Sequence, residues 1–255
     1  MDTLPEDSRR SLDELRTRHD PDIIGLILTG SAARGMATEH SDVDVYVVLA
    51  DDARPGRTTQ RSRAADEIPV GLTELEDVPA YGTVGWWSRW SFAWAQVLRD
   101  ETGGRVAEAV RRRANLTEAE QRAILTDHDR LDGWLNFAYR ALKSDRDGRP
   151  LQRRLDAAES VPWLLDVVFT LAGRVRPYNK YLSWELAEHP LDVPEWQAGV
   201  LLPTLERTLD GDPAALRETF TVVDRQCREY DVATGTTLLG DIIDGWGSEL
   251  ELFRS

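Results

Sequence analysis

The 255-residue sequence predicts two domains, an N-terminal α+β domain with a small mixed sheet and a C-terminal all-α helical bundle. Two observations support this fold class. Up to residue 115, short aliphatic runs that are typical of strands are interspersed with helix-like segments, as in α/β and α+β domains. After that point the apolar residues recur with helical spacing. We therefore expect the domains to span residues 1–115 and 116–255.

Five segments of the first half predict the elements of the sheet domain. A first helix is expected in "SRRSLDELRTRH", and strands are expected in "IIGLILTG", "DVDVYVVLA" and "EIPVGLTEL". The segment "AQVLRDETGGRV" is typical of a strand, a turn and a helix. A polar, arginine-rich loop at residues 51–64 separates the second strand from the third.

Helix-start signals predict the elements of the second half. In "LTEAEQRAIL", Thr117 and Glu120 have the spacing of a capping box. In "DPAALRETFTVVDRQCREYD", Asp212 is a candidate N-cap that precedes Pro213 at the first helical position. Further helices are expected in "GWLNFAYRAL", "LDAAESVPWLLDVVFTLAGR" and "DVPEWQAGVLLPTLERTL", and Pro162 is expected to kink or restart the second of these.

Composition and charge exclude several classes of protein. The chain has 31 Lys and Arg against 45 Asp and Glu, and its formal net charge is −14. This charge argues against a nucleic-acid partner, and it suits either solubility alone or a cationic small molecule. No apolar run approaches the roughly 18 residues of a membrane span, and the charged N-terminus lacks the apolar core of a signal peptide. We expect a cytoplasmic protein, either a monomer or a homodimer, without a membrane partner.

The cysteine count limits the chemistry further. The single cysteine, Cys227, excludes an intramolecular disulfide and a cysteine-based zinc cluster. The four histidines show no metal-ligand spacing, and we assign them no role.

Two aspartates lie one residue apart in the apolar run of "LTGSAARGMATEHSDVDVYVV", residues 28–48. Because alternate residues of a strand face the same side, Asp42, Asp44 and Tyr46 are expected on one face of the strand. Neighbouring carboxylates repel each other unless a cation neutralises them. Mg²⁺ takes oxygen ligands and bridges carboxylates to nucleotide phosphates, and two such ions can assist phosphoryl transfer. Asp42 and Asp44 are therefore candidate catalytic residues and metal ligands.

The same stretch predicts a phosphate-binding turn. Gly30 and Ser31 stand where the first strand ends and a short helix begins. A glycine lets a phosphate approach the backbone, and Ser31 adds a hydroxyl and an N–H group at a helix N-terminus. Arg34, one turn further along, is expected to contact the same phosphates.

The combined motif resembles the signature of the polymerase-β-type nucleotidyltransferase superfamily, with Gly-Ser, a spacer of ten residues and Asp-Val-Asp on a strand. The longer form "GSAARGMATEHSDVDVYVV" is similar to aminoglycoside nucleotidyltransferases and their uncharacterised relatives. The resemblance implies a nucleotidyltransferase fold, ATP as the nucleotide donor and two Mg²⁺ ions. It also implies transfer of AMP to a hydroxyl group, with release of pyrophosphate.

A third carboxylate on a later strand is also implied by the resemblance, and the candidates are Asp66, Glu67, Glu74 and Glu76. In "DEIPVGLTEL", Asp66 shares a face with the aliphatic residues, whereas Glu67 lies on the other face. The segment "EIPVGLTELEDVP" is similar to a strand of streptomycin/spectinomycin adenylyltransferases that begins with a glutamate. We therefore predict Glu67 as the third catalytic carboxylate. Pro69 is typical of an edge strand or a bulge, so Asp66 and Glu74 stay open as alternatives.

Several aromatic residues cluster in "GWWSRWSFAWAQ". Trp87, Trp90 and Trp94 recur at helical spacing, which favours packing in a core. The alternative is that Trp87 and Trp90 line a pocket and stack on a sugar or adenine ring of the substrate. Arg89 lies on the same segment and could reach a phosphate.

Three residues of the second half are candidate ligand contacts. The stretch "AGRVRPYNKYLSWEL" resembles an element of streptomycin/spectinomycin adenylyltransferases in which a turn precedes a lysine near the nucleotide, here Lys180. A compact charge suits a polyphosphate, and the alternative is a solvated lysine. Glu159 and Asp166 lie seven residues apart on one helix face, and they are either solvated or bind ammonium groups of a cationic substrate.

Three functions follow from these features. The preferred one is an Mg²⁺-dependent enzyme that moves AMP from ATP to a hydroxyl of a small molecule, by resemblance an aminoglycoside or aminocyclitol, in a cleft between the domains. The second is an AMP-transferring modifier of proteins, of the antitoxin type, which the large helical domain disfavours. The third is a non-catalytic regulator on the same fold, which the intact aspartates disfavour.

Overall fold

The computed structural model describes residues 4–255 and divides the chain into two compact units, Met1–Asn115 and Leu116–Ser255. The division falls at the boundary that the change in sequence character predicts. The first unit contains a small mixed sheet with helices, and the second is helical. The predicted fold class is therefore confirmed.

The sheet of the first unit has five strands in the order β3-β4-β2-β1-β5. Their bounds are Ile23–Thr29 for β1, Val43–Leu49 for β2, Gln60–Arg61 for β3, Ala65–Gly71 for β4 and Gln96–Asp100 for β5. β1 is antiparallel to β2 and β5, and β3 is antiparallel to β4, whereas β2 and β4 are parallel. The central strand β2 and its neighbour β1 correspond to the predicted strands "DVDVYVVLA" and "IIGLILTG".

Helices of the first unit connect and flank these strands. They are α1 (Glu6–Thr17), α2 (Gly30–Ala33), α3 (Leu72–Glu76) and α4 (Arg105–Ala114), with short 3₁₀ helices at Asp51–Ala53 and Trp86–Phe92. α1 buries Leu12 in a cluster with Val45, and α4 buries Val106 in a second cluster with Val48. Val45 and Val48 face opposite sides of β2, so both faces of the sheet are covered with apolar side chains.

β4 ends earlier than the sequence predicts. The run "EIPVGLTEL" was expected to be a strand throughout, but the strand ends at Gly71 and α3 follows. The side chains that cap this helix explain the difference. Glu74 accepts a hydrogen bond from the Gly71 N–H at 3.2 Å, and Asp51 accepts from the Thr73 N–H at 2.9 Å. Both carboxylates accept from N–H groups at the start of the helix, which have no partner within the helix. In a continued strand these N–H groups would need a neighbouring strand as their acceptor.

Eight α-helices of the second unit are described. They are α5 (Glu118–Leu125), α6 (Arg130–Arg146), α7 (Pro150–Leu171), α8 (Leu182–Glu188), α9 (Ala198–Leu209), α10 (Pro213–Thr234), α11 (Leu238–Asp244) and α12 (Glu251–Arg254). The capping box of Thr117 and Glu120 is confirmed, and Asp212 caps α10 by accepting from the Ala214 N–H at 2.9 Å. α7 continues through Pro162 without a restart.

The core of the second unit is large and aromatic. Trp134 on α6, Phe169 on α7 and Phe220 on α10 are buried in one apolar cluster. Cys227 on α10 is also fully buried there, and burial raises the pKa of its thiol well above the ordinary value. Among the helices of residues 4–255, none has the length and apolar character needed to cross a membrane.

Gly133 on α6 lies against α7 at a point where there is no room for a larger side chain. A Cβ atom at this position would collide with the indole ring of Trp163 on α7. We expect Gly133→Ala to lower the free energy of unfolding by about 1–3 kcal/mol, because the ring must move. Gly199→Ala on α9 is the matched control, since a Cβ there meets no atom within 4 Å. It should be neutral or stabilising by up to about 1 kcal/mol. Urea unfolding followed by circular dichroism measures both, and equal effects would contradict the packing argument.

Asp100, the last residue of β5, holds the first turn of α4. Its carboxylate accepts from the Thr102 N–H at 2.9 Å and from the Ala107 N–H at 3.1 Å. Burial alone would raise the pKa of Asp100, but these hydrogen bonds to the charged form outweigh it and hold the pKa below the ordinary value.

The lowered pKa of Asp100 makes its contribution to stability dependent on pH. A carboxyl group with a depressed pKa in the folded state stabilises that state fully above its unfolded pKa of about 4, and less as the pH falls through the folded value. Asp100→Asn should therefore lower the free energy of unfolding by about 1–2 kcal/mol at pH 7 and by less at pH 3. Urea unfolding at the two pH values tests this, and a difference that grows toward acid pH would be the opposite of our expectation.

Candidate active site

The end of β1 and the start of α2 form a turn that only glycine fits. Gly30 has a φ angle of +67°, which is unfavourable for other residues. A Cβ atom on Gly30 would also collide with Oδ2 of Asp44. The backbone of the turn therefore lies directly against the Asp44 carboxylate. Position 30 needs glycine for its conformation and for this contact.

Strand pairing places Asp44 beside the turn. Asp44 is the residue of β2 that pairs with Thr29, the last residue of β1, and the Thr29 hydroxyl donates to the Asp44 carbonyl at 3.3 Å. The Asp44 side chain is half-buried, between the buried Val43 and Val45. Asp42 is also half-buried and lies one residue before β2 begins. Both aspartates thus lie at the end of the sheet where β1 ends and β2 begins.

The register between β2 and β4 corrects the choice of the third carboxylate. Asp44 pairs with Asp66, and Val45 pairs with Glu67. Paired residues of neighbouring strands face the same side of a sheet, so Asp66 lies on the face of Asp44 and Glu67 lies on the opposite face. The prediction of Glu67 is therefore wrong, and Asp66, which was the alternative, has the required position.

The contacts of these acidic residues agree with the register. The Glu67 carboxylate accepts two hydrogen bonds from Arg18, at 2.6 and 3.0 Å, and it raises the pKa of that guanidinium. Glu74 accepts from Arg54 at 2.9 Å, and Glu76 accepts from Arg105 at 2.8 Å. Asp66 has a looser ion pair, 3.7 Å from the Arg61 guanidinium.

Both faces of the sheet are apolar, which is why alternation along β4 was misleading. On β2 the valines that alternate with the aspartates pack on the side of α1, and this side was taken as the core. On β4 the apolar Val70 packs on the other side, in the cluster that contains Val48. The apolar face of β4 is thus the face of Asp44. Asp66 lies on this face, so its side chain is on the same side of the sheet as that of Asp44.

Arg34 has a different role from the predicted one. Its side chain is only 7% exposed, and it donates to the carbonyl of Gly30 at 2.7 Å. It also donates to the carbonyls of Trp90, Ser91 and Ala93 at 3.1, 3.0 and 2.6 Å. Because the guanidinium of Arg34 donates to backbone carbonyls, the prediction that Arg34 binds the triphosphate is wrong.

The tryptophan-rich segment is a 3₁₀ helix, Trp86–Phe92, rather than an α-helix. Trp90 is buried, as core packing predicts, whereas Trp87 is 72% exposed. Arg89 is fully buried and donates to the carbonyls of Arg113 and Asn115 at 3.0 and 2.6 Å. The prediction that Arg89 reaches a phosphate is therefore wrong, and stacking on a substrate is open only to Trp87.

The three candidates of the second unit differ in their surroundings. Lys180 is exposed, with its ammonium nitrogen 4.7 Å from the centre of the Tyr181 ring. Glu159 is exposed on α7. Asp166 lies 3.6 Å from Arg130 and 3.4 Å from Arg176, so two cations already balance its charge. The two acidic residues therefore do not form one site for a cationic substrate.

Two polar residues of the site were missed by the sequence analysis. Ser41 precedes Asp42, and its hydroxyl accepts from the Thr38 N–H at 2.9 Å and from the Ser31 hydroxyl at 3.4 Å. Gln96 on β5 donates to the Ala33 carbonyl at 2.6 Å and so holds the end of α2. Neither residue has a sequence period or motif position that would have identified it.

The donor set around Asp44 fits a hard cation that also binds phosphates. Within residues 4–255, no group of three or more Asp, Glu, His or Cys side chains is arranged to hold a metal ion. Mg²⁺ in nucleotide sites is bound by one or two carboxylates, and the substrate phosphates and water supply its other ligands. Asp42 and Asp44 provide carboxylates of this kind beside the Gly30–Ser31 turn, whose backbone packs directly against the Asp44 carboxylate.

A family match covers this part of the chain. Residues 8–80 match the model of the nucleotidyltransferase domain family, a span that contains most of α1, the Gly30–Ser31 turn, β2 and β4. A solved structure of a nucleotidyltransferase-like protein from Exiguobacterium sibiricum matches with 15% sequence identity and a TM-score of 0.38, over 88% of this chain and 77% of that one. No curated protein matches the chain. The matched span covers the turn and the paired aspartates, and it indicates a nucleotidyltransferase domain in the first unit and an enzyme of the nucleotidyltransferase class.

Proposed function

We propose that the protein moves AMP from ATP to a hydroxyl group of a small molecule and releases pyrophosphate, with Mg²⁺ as the cofactor. The observation that supports this most is the strand register. It aligns Asp44 with Asp66 on one face of the sheet and brings Asp44 against the Gly30 backbone. A carboxylate pair beside a glycine turn at the end of a strand suits nucleotidyl transfer, in which positioning and charge stabilisation do most of the work.

In this proposal Asp42 and Asp44 hold two metal ions. Bound there, Mg²⁺ would offset the negative charge of the phosphates and favour the departure of pyrophosphate. The two aspartates would bind those ions through carboxylate oxygens, which are the ligands that Mg²⁺ prefers. Asp44 is held by strand pairing to Thr29, so its carboxylate has a fixed position relative to the turn.

Asp66 is the proposed general base. The acceptor hydroxyl oxygen attacks the α-phosphorus, and the bond from that phosphorus to the bridging oxygen of the β-phosphate breaks. The hydroxyl proton passes to the Asp66 carboxylate, and pyrophosphate leaves with the electron pair of the broken bond. Asp66 replaces Glu67 in this role because only Asp66 shares the face of Asp44.

The acceptor and the remaining nucleotide contacts are proposed from net charge, resemblance and side-chain exposure. The net charge of −14 and the resemblance to aminoglycoside nucleotidyltransferases favour a cationic aminoglycoside or aminocyclitol. Exposed Trp87 offers a ring face for stacking on the substrate. For Lys180, the resemblance and its exposed ammonium group support a contact with the polyphosphate.

Substitutions of Asp44 on β2 and of the acidic residues Asp66 and Glu67 on β4 test the site. We expect Asp44→Asn and Asp66→Asn each to lower kcat/KM for AMP transfer by about 100-fold or more, because they remove a metal ligand and a general base. Glu67→Gln is the matched control beside Asp66. It breaks only the pair with Arg18, so it should lower stability by at most about 1 kcal/mol and leave turnover nearly unchanged. Loss of activity in Glu67→Gln with normal activity in Asp66→Asn would reverse our assignment.

The destination of the nucleotide tests the proposed reaction. The protein is incubated with Mg²⁺ and ATP labelled at the α-phosphate, with a panel of aminoglycosides and aminocyclitols or with a cell lysate. We expect stoichiometric release of pyrophosphate and label on a small hydroxyl compound, and neither with Asp44→Asn. Label on a protein would show instead that the acceptor is a macromolecule. No transfer from any of the four ribonucleoside triphosphates would refute the proposed function.

A further inference from the structure

Arg34 spans two parts of the first unit that are far apart in sequence. One is the Gly30–Ser31 turn, whose Gly30 carbonyl accepts from Nη1 of Arg34 at 2.7 Å. The other is the segment of residues 90–93, where three carbonyls accept from Nη2. The guanidinium carbon also lies 4.2 Å from the centre of the Trp90 ring. A buried cation therefore links the turn to the segment of residues 90–93.

The hydrogen bond to the Gly30 carbonyl fixes the orientation of one peptide group. The peptide bond is planar and trans, so the carbonyl of Gly30 and the N–H of Ser31 point in opposite directions. With the carbonyl held by Arg34, the Ser31 N–H points away from the guanidinium. On the side where a Cβ of Gly30 would lie, the backbone packs directly against the Asp44 carboxylate.

The turn has little local means of keeping this orientation. α2 contains only four residues, and forming so short a helix is unfavourable because several backbone angles are fixed for few hydrogen bonds. The glycine adds conformational freedom at the first position. Arg34 holds the start of the helix, and the amide of Gln96 holds its end through the Ala33 carbonyl at 2.6 Å.

We propose that Arg34 is a positioning residue for nucleotide transfer, which sets the Gly30–Ser31 peptide so that the Ser31 N–H is presented to a nucleotide phosphate. This inference rests on the proposed function. It differs from direct phosphate binding, because the guanidinium itself is buried and engaged with carbonyls. Lysine cannot replace Arg34, since a single ammonium group lacks the fork that reaches carbonyls on both sides.

Arg113 offers a matched control within the same unit. It is also 7% exposed, and it donates to the carbonyls of Leu75, Glu74 and Asp77 at 2.7, 2.7 and 2.8 Å. It has the same kind of fork on backbone carbonyls, but its partners belong to α3 and the residue after it, not to the turn. Arg34→Lys and Arg113→Lys should therefore both lower the Tm, and only the first should affect the nucleotide.

The test measures binding and turnover on folded protein. Titration calorimetry with Mg²⁺ and α,β-methylene-ATP, at a temperature where circular dichroism shows each variant to be folded, gives Kd. We expect Arg34→Lys to raise Kd and lower kcat/KM by about tenfold or more, and Arg113→Lys to leave both nearly unchanged. Equal effects of the two variants, or wild-type Kd in Arg34→Lys, would overturn the inference.

A measurement on the wild type does not depend on the variants folding. The backbone amide signal of Ser31 should shift on addition of Mg²⁺ and α,β-methylene-ATP in a ¹⁵N-labelled sample. Nucleotide binding without a shift of this amide would overturn the inference and leave the proposed function standing. Failure of the wild type to bind any of the four ribonucleoside triphosphates would refute the proposed function itself, and the inference with it.

Discussion

The contact between the Asp44 carboxylate and the backbone of Gly30 is the constraint on which the candidate site depends. Asp44 is fixed by its pairing with Thr29, and Gly30 is the next residue along the chain. The carboxylate occupies the space that a Cβ at position 30 would need, and the φ angle of +67° there is unfavourable for any other residue. Strand register, turn conformation and carboxylate position are thus determined together, and a change in one displaces the others.

Buried arginines hold the irregular parts of the same unit. Arg34, Arg89 and Arg113 each donate to several backbone carbonyls from segments outside the regular strands. A buried carbonyl without a hydrogen-bond donor is costly, and a guanidinium offers five donors in a fixed fork. Each of these arginines therefore supplies donors to backbone carbonyls outside the sheet, as a neighbouring strand does within it. Replacing one by lysine or methionine leaves several carbonyls without their donor, and for Arg34 these lie on two separate segments.

Local patterns in the sequence were sufficient for the elements and for the main motif. The strands β1 and β2, the capping box at Thr117 and the N-cap at Asp212 all follow from interactions within a few residues, which the sequence displays directly. The choice of Glu67 failed for a non-local reason. Side chains on both faces of the sheet are apolar, so alternation along β4 does not say which face is that of Asp44, and only the pairing of Asp44 with Asp66 does.

The arginine predictions failed because the partners of Arg34 and Arg89 are carbonyls, which have no sequence signature. The segment Trp86–Phe92 illustrates the consequence. Its tryptophans have helical spacing, but an α-helix continuing through residues 90–93 would use those carbonyls for its own hydrogen bonds. Here Arg34 donates to the carbonyls of Trp90, Ser91 and Ala93, at the end of the 3₁₀ helix. Arg34 and the irregular backbone of this segment therefore stabilise each other, and a residue four positions from Gly30 helps to determine the structure of a segment more than fifty residues away.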